Sequence, residues 1–390
     1  MSEWPMVKLG DVANFVRGLT FKPSSVIPTE KGLIVLRTKN IQEKLDLTDL
    51  IAIPQDFLKR EDQLVQSLDT LVSVANSWNL VGKCCIAPLN PTNLAIGGFI
   101  AALRSLNADK LDPQYLYHWF NSTAIQNTVR SFSNKTTNIS NLQIKRCLDL
   151  MIPLPPLGEQ KRIAEILSEV NKIIICTNSQ RETVDQLERR LFQEFRNQNS
   201  KSSQRVGDKC QVHTGATPSR NNPAYYNGSI PWIKTGEVQG TIIDNAEEYI
   251  TETAIQETNC RKFPAGTILV AMYGQGATRG RAGILNCGAA TNQACAAIIP
   301  HLPEDKDYTF AVLHNSYNKL RSLGRGGTQP NLNLTLIKNF EIPWPTKSTR
   351  ENFMQRWRQL NILRLLLTQR SALLQELQRS LSARAFAGLL

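Results

Sequence analysis

Two stretches of this 390-residue chain follow one plan in one order, and that repeat limits the fold more than any other feature. Leu9-Gly10-Asp11 and Phe15 to Thr20 recur as Val206-Gly207-Asp208 and Val212 to Thr217. The offset is constant. It carries Val35-Leu36-Arg37-Thr38 onto Trp232-Ile233-Lys234-Thr235, and Asp69 to Val72 onto Gly266 to Leu269. After small gaps, Gly82-Lys83 answers Gly280-Arg281, Arg130-Ser131-Phe132 answers Arg321-Ser322-Leu323, and Ile152 to Pro155 answers Ile342 to Pro345. The period is that of a domain, far longer than a solenoid repeat.

A long helix closes each copy. Over Leu157 to Arg196, Ile163, Ile166, Val170, Ile173, Thr177, Gln180, Val184, Leu187 and Leu191 step by three and four, the a/d seam of a coiled coil. Thr177 and Gln180 interrupt the seam, and polar seam positions fix register at some loss of stability. Pro153-Leu154-Pro155-Pro156 stiffens the entry, and Glu159 stands in the first turn, where the helix dipole favours an acid. Over Thr349 to Arg384 the same spacing returns in Phe353, Leu360, Leu363, Leu367, Leu374, Leu377 and Leu381, with Arg356 and Arg370 in the two vacant slots. Ser348 and Glu351 form a capping box at its start.

Length then decides direction. A helix of this size spans roughly 60 Å, whereas the linker after it reaches at most about 30 Å. The second helix buries its seam on the first only by running back. The expected architecture is two related α/β (α+β) domains joined by two long antiparallel coiled-coil helices, with pseudo-twofold symmetry. Its parts are a first domain over residues 1–156, a spacer helix over 157–198, a linker over 199–204, a second domain over 205–345 and a second spacer helix over 346–390. Within the domains, Gly32 to Arg37, Thr70 to Ala75, Gly266 to Tyr273 and Ala294 to Ile299 read as strands. Asp112 with Pro113 opens a helix over Gln114 to Phe120, and Asp307 opens its counterpart over Tyr308 to Tyr317.

Apolar residues make up 41% of the chain, enough for two cores, and no run approaches the roughly 20 residues of a membrane span. Met1 to Gly10 lacks the basic-then-apolar pattern of a signal segment, so the expected location is the cytoplasm, away from membranes. The eight cysteines form no C-x-x-C pair, which predicts buried thiols in a reducing compartment. The net charge of +12 suits a polyanionic partner. It is spread thinly over the two domains, and residues 349–384, where seven arginines face only Glu351 and Glu376, add +5.

Motifs for bond chemistry fail one by one. Asn222-Pro223-Ala224-Tyr225 resembles the Asn-Pro-Pro-Tyr loop with which amino-methyltransferases grip a flipped adenine, but it lacks the second proline, and no glycine-rich strand-turn-helix precedes it. A turn is the better reading. Gly274, Gly276 and Gly280 follow a strand at spacings that miss the dinucleotide fingerprint, and no phosphate loop of the G-x-x-x-x-G-K-[ST] type occurs. Glu304-Asp305-Lys306 reads as a surface turn, and the four histidines are scattered. What remains are loops rich in donors for base edges and phosphates. In the first domain these carry Lys39, Asn40, Asn76, Trp78, Lys83 and Lys135; in the second, Arg220, Lys234, Thr235, Tyr273, Gln275, Arg279, Arg281 and Arg325.

Ile152-Pro153-Leu154-Pro155-Pro156-Leu157-Gly158-Glu159-Gln160, running into Ile163 and Ile166, resembles the spacer start of the specificity (S) subunit of type I restriction-modification systems. Trp4 to Gly18 and Val206 to Gly215 are similar to the openings of that family's target recognition domains. The second hinge departs from the pattern, since Thr346-Lys347 follows Pro345. The resemblance covers nearly the whole chain. It implies a non-catalytic subunit in which each domain reads one half of a bipartite site on double-stranded DNA and the helices set the gap. It further implies two modification (methyltransferase) subunits and two restriction subunits as partners. Those partners would use S-adenosylmethionine, ATP and Mg, and this chain would hold no cofactor or metal. The two domains differ in their loops, so the expected site is asymmetric. Two other readings stand beside it: a self-contained adenine DNA methyltransferase using Asn222 to Tyr225, and a coiled-coil scaffold that binds no DNA.

Overall fold

A computed structural model describes residues 4–133, 139–274, 276–324 and 331–390. The chain divides into two compact units, residues 1–180 with 367–390, and residues 181–366. Each contains one of the repeated domains and a stretch of both long helices.

In the first unit an antiparallel sheet runs Ala13–Arg17, Ile100–Ser105, Thr70–Ser73, Cys84–Ile86 in spatial order. The middle strands are apolar at successive positions because both faces are covered. Ala101 and Leu103 meet the helix Pro113–Phe120, while Ile100 and Ala102 face a second layer with Leu36 and Ile96. That layer is the sheet Ile51–Ile53, Leu33–Leu36, Leu94–Ile96. The second unit repeats the plan with Cys210–Thr214, Cys295–Pro300, Ile268–Ala271, Ala282–Leu285 and the added edge Ile242–Ile243, beside the sheet Glu248–Ile250, Tyr226–Ile233, Ala290–Thr291. Ile268, Val270 and Ile298 point one way, and Leu269, Ala271 and Ala297 the other. Glycine in the repeated Gly-x-Thr has a matching cause in both. A Cβ on Gly18 would come within 2.1 Å of the Gly97 carbonyl oxygen, and one on Gly215 within 1.7 Å of that of Thr291.

Asp112 caps its helix as the sequence predicts, accepting from the backbone N–H groups of Gln114 and Tyr115 at 3.0 and 2.9 Å. In the second unit the start differs from expectation: the helix is Lys306–Asn315, Asp305 precedes it, and Asp307 lies in its first turn. The preceding turn Pro303–Asp305 already winds the chain, so the helix continues it without a side-chain cap.

The hinges explain their own sequence. Gln160 is buried and makes three bonds: its Oε1 accepts from Asp112 N–H at 2.8 Å, and its Nε2 donates to the Lys110 and Pro155 carbonyls at 2.9 and 2.8 Å. The second hinge lacks this glutamine and uses Arg350, which donates to the Pro345 carbonyl at 2.9 Å and to Asp305 at 2.8 Å. Tyr115 Oη donates to the Pro153 carbonyl at 2.9 Å, and Tyr308 Oη to that of Pro343 at 2.5 Å. The second long helix, Lys347–Phe386, starts one residue before Ser348, and Thr346 Oγ1, not Ser348, accepts from Thr349 N–H at 3.4 Å.

The long helices pair antiparallel within each unit. In the first, Gln378 and Ser371 of the second helix meet Asn171 and Asn178 of the first at 2.9 and 3.0 Å. In the second, Phe353 stacks on Phe195 at 4.3 Å, while Trp357 Nε1 and Arg364 reach Glu188 at 2.7 and 3.4 Å.

The seam itself is corrected by one position on one flank. Ile163, Val170, Thr177 and Val184 are buried, with Leu191 half-buried, as the spacing predicts. The other flank is Leu167, Ile174, Arg181 and Glu188, so Ile166 is only half-buried, Gln180 is exposed, and Ile173 and Leu187 stand 39% and 46% exposed. The second helix shows the same offset. Phe353, Leu360, Leu367, Leu374 and Leu381 face inward, but their companions are Trp357, Arg364, Ser371, Gln378 and Ala385. Leu363 and Leu377 are 44% and 46% exposed, and Arg356 and Arg370 point to solvent. The reason is that each helix serves its domain as well as its partner helix: Ile163, Ala164 and Leu167 join Tyr115 and Trp119 in one core, and Phe353, Met354 and Trp357 join Val312 in the other. The stripe therefore rotates toward the sheet-covering helices.

Candidate nucleic-acid interface

Arg37 and Lys234 end equivalent strands, and the chain turns in the same way after each. Arg37 N–H donates to Asn40 Oδ1, and Lys234 N–H to Glu237 Oε2, both at 2.8 Å. Asn40 is buried, and its Nδ2 donates to the carbonyls of Asp46 and Asp49 at 2.8 and 3.2 Å. The side chain is consumed by the turn, so it presents nothing to a ligand. Lys39 remains at the surface, paired with Asp49, which also takes Arg37 at 2.9 Å.

Lys83 Nζ donates to Gln42 Oε1 at 2.6 Å, and both line a cavity of about 320 Å³ with Glu43, Tyr117 and Asn171. Asn76 lies on the short strand Ala75–Asn76, paired with Ser140–Asn141, and donates to Ser73 Oγ at 3.2 Å. Trp78 is exposed on the following loop. Lys135 lies outside the described residues, as do Gln275 and Arg325 of the second domain.

In the second domain the structure unites residues that the sequence keeps apart. Arg220 Nη1 donates to Glu248 Oε2 at 2.6 Å, and Lys234 Nζ meets Glu248 at 3.1 Å and Glu247 at 2.8 Å. The two cations hold the Glu248 carboxyl below its ordinary range, Arg220 most strongly. Thr235 is half-buried at the start of the same turn. Tyr273 is exposed beside Gly274, and Arg279 and Arg281 are half-buried on the loop that joins Ile268–Ala271 to Ala282–Leu285. Gly274, Gly276 and Gly280 have φ of 139°, 61° and 86°, which lets that loop turn where a side chain would be strained.

The Asn222 side chain is used by its own turn. Its Oδ1 accepts from Ala224 N–H at 3.1 Å, capping the turn Pro223–Tyr225, and Tyr225 Oη donates to Glu257 at 3.1 Å. The turn reading of this motif holds.

Several residues near these loops escaped sequence reasoning. Phe99 is 63% exposed on the turn that Ile100 N–H closes onto the Gly97 carbonyl at 2.9 Å; Gly97-Gly98 before an aromatic was the available signal. Tyr226, Trp232 and Glu248 gave none, because their role toward Arg220 depends on strand pairing. Cys84, Cys85, Cys147, Cys210, Cys260 and Cys295 are buried as expected, whereas Cys287 is half-buried and Cys176 is exposed on the outer face of its helix. Burial pushes the Cys85, Cys147, Cys210 and Cys295 thiols up to about 12. Among the described residues no group of three or more His, Cys, Asp or Glu is placed to hold a metal ion, and no helix is long and apolar enough to cross a membrane.

Two mixed-sheet domains, each bound to both members of an antiparallel helix pair, define the class. Residues 1–186 and 200–375 each match the family described as type I restriction modification DNA specificity domain, and the chain belongs to that family. It is 30% identical over 194 residues to the type I restriction enzyme StySPI specificity subunit of Salmonella potsdam, covering 49% of this chain and 41% of that one. It is 27% identical over 292 residues to the EcoKI specificity subunit of Escherichia coli (strain K12), covering 69% and 61%. The matched stretches thus span about half the length of these relatives. Among solved structures, the type I restriction-modification S subunit from M. genitalium has the same fold, with a TM-score of 0.62 at 14% identity over 99% of this chain and 96% of that one. A chain from work on complex assembly and conformational transition of the type I R-M system gives 0.56 at 16% identity, covering 99% and 98%.

Proposed function

We propose that this chain is the sequence-specific DNA-recognition subunit of a type I restriction-modification complex. Each domain reads one half of an asymmetric bipartite site, and the paired helices set the gap between the halves. The observation that carries this reading is the double family match, one over each domain, on a chain whose domains differ in their surface loops. In this reading the chain does no bond chemistry and works in the cytoplasm. Methylation and cleavage belong to two modification subunits and two restriction subunits, which use S-adenosylmethionine, ATP and Mg.

Exposed apolar side chains support protein partners. In the second unit Ile362, Leu365 and Leu366 of the long helix stand in solvent, and an open groove of about 650 Å³ is lined by Ile242, Ile284, Phe310, Trp357 and Leu365. In the first unit Leu373 and Leu377 are likewise uncovered. Apolar surface of this kind marks interaction sites. The proposed DNA contacts are Lys39, Asn76, Trp78, Lys83, Arg220, Lys234, Thr235, Tyr273, Arg279 and Arg281, with Lys135, Gln275 and Arg325; Asn40 is withdrawn because its side chain is spent internally.

The test is the methylation motif produced by the chain with its modification partner. Exchanging residues 1–150 for another first domain is expected to change one half-site only, and removing seven residues from each long helix to shorten the gap with both half-sites kept. An unaltered motif in both experiments would reject the reading.

A further inference from the structure

In the second domain, Arg220 is held from several sides at once. Its guanidinium carbon lies 4.6 Å from the ring centre of Tyr226 and 5.2 Å from that of Trp232, while Glu248 fixes Nη1 at 2.6 Å. Two aromatic faces and one carboxylate leave the fork little freedom.

The backbone beneath it is tied down as well. Arg220 is the second residue of the turn Ser219–Asn222, closed by Asn222 N–H on the Ser219 carbonyl at 3.2 Å. Before the turn, Tyr226 Oη donates to the Pro218 carbonyl at 2.7 Å, Trp232 Nε1 to that of Ala216 at 3.1 Å, and Thr217 Oγ1 to Gln293 at 2.6 Å. After it, Asn222 caps Ala224, and Thr251 Oγ1 donates to the Ala224 carbonyl at 2.9 Å. This is the role of the Asn222–Tyr225 motif: it is the frame of an arginine-bearing turn.

Charge indicates what that arginine meets. Arg220 and Lys234 face Glu247 and Glu248, so the two cations and two carboxylates cancel. Phosphate binding draws on uncompensated positive charge. A neutralised cluster gives that up, yet keeps a geometrically fixed set of donors, which is what a neutral base edge requires. The Arg220 side chain is 55% exposed, and among the described residues Glu248 is its one hydrogen-bond partner, so the rest of the fork is open to a ligand. The planar fork matches the O6 and N7 acceptors of guanine.

Building on the DNA-reading function above, we infer that Arg220 recognises a guanine in the half-site of the second domain, with Tyr226, Trp232 and Glu248 as positioning residues. The matching place in the first domain holds Pro23, in the turn Pro23–Ser25, so the contact belongs to one half of the target.

The experiment uses the full chain in complex with its modification partner, acting on duplexes in which each guanine of the methylated motif is replaced in turn. Arg220→Ala and Arg220→Lys are both expected to lose about tenfold or more of the discrimination at one guanine of one half-site, with the other half-site unchanged. Arg220→Lys keeps the charge without the fork, and stands in if Arg220→Ala fails to fold. Tyr226→Leu is expected to weaken preference at that same guanine by a smaller factor. Full guanine preference in Arg220→Lys, or an even loss across all duplexes with the motif intact, overturns the inference in favour of a phosphate contact or none. A wild-type complex with no sequence preference overturns the DNA-reading function itself, an outcome distinct from the former two.

Discussion

Gln160 and Arg350 occupy matching places one turn into the two long helices, and both close the hinge by donating to a proline carbonyl. Gln160 also satisfies Asp112 N–H and the Lys110 carbonyl, so Gln160→Leu leaves three polar groups without their partner. The expected loss is about 2–3 kcal/mol in urea unfolding. His118 offers a pH test. It is buried with Nε2 2.8 Å from Ser168 Oγ, and burial lowers its pKa to about 4 from an ordinary 6.5. The folded state therefore holds this imidazole neutral while the unfolded chain protonates it. Stability from this residue is complete above pH 6.5 and falls as pH drops toward 4, by about 1.4 kcal/mol per unit. Melting of wild type against His118→Gln between pH 7.5 and 5 is expected to show a steeper loss in wild type, since the variant keeps only the smaller slope from His213 and His314, whose burial also lowers their pKa.

At the scale of the element, the helices and their antiparallel pairing were legible from heptads and linker length, but one flank of each seam was not. Ile166-Leu167 and Ile173-Ile174 are adjacent apolar pairs, and periodicity alone does not choose between neighbours. At Leu187-Glu188 hydropathy points the wrong way. Glu188 is 5% exposed because Trp357, Arg364 and Asn315 of the fold supply its hydrogen bonds, and none of them is visible from the helix carrying it. The rotated seam predicts unequal costs. Glu188→Ala is expected to destabilise the chain by about 1–3 kcal/mol, since it leaves the buried Trp357 indole N–H without its acceptor, whereas Leu187→Ala and Leu363→Ala stay within about 0.5 kcal/mol. Equal losses in thermal unfolding would restore the sequence-derived seam.

Over the whole molecule, the repeat was readable because strands, hinges and caps obey local rules that both copies share. The surface was less readable. Asn40 and Lys39 are neighbours of similar polarity, yet a turn buries one and leaves the other in solvent, and the Arg220 cluster gathers residues from three separate segments. The first unit shows the largest departure from a linear plan. Leu381, Ala385, Phe386 and Leu390 pack into the core formed by Leu9, Tyr115 and Ile152, with the Phe386 ring 5.5 Å from that of Tyr115 and Arg162 donating to the Leu390 carbonyl at 2.9 Å. Phe386→Ala is expected to cost about 2–4 kcal/mol and to lower the melting temperature of the first unit.

That packing bears on synthesis. A ribosome extends a chain at roughly 5–20 residues per second, and domains ordinarily fold in the order they emerge. Here the domain translated first waits for side chains near position 386 before its interior is sealed. Its apolar surface stays open to chaperones and to misassociation for the time taken to make nearly everything else, so early release of the nascent chain yields a first domain with its core unfinished.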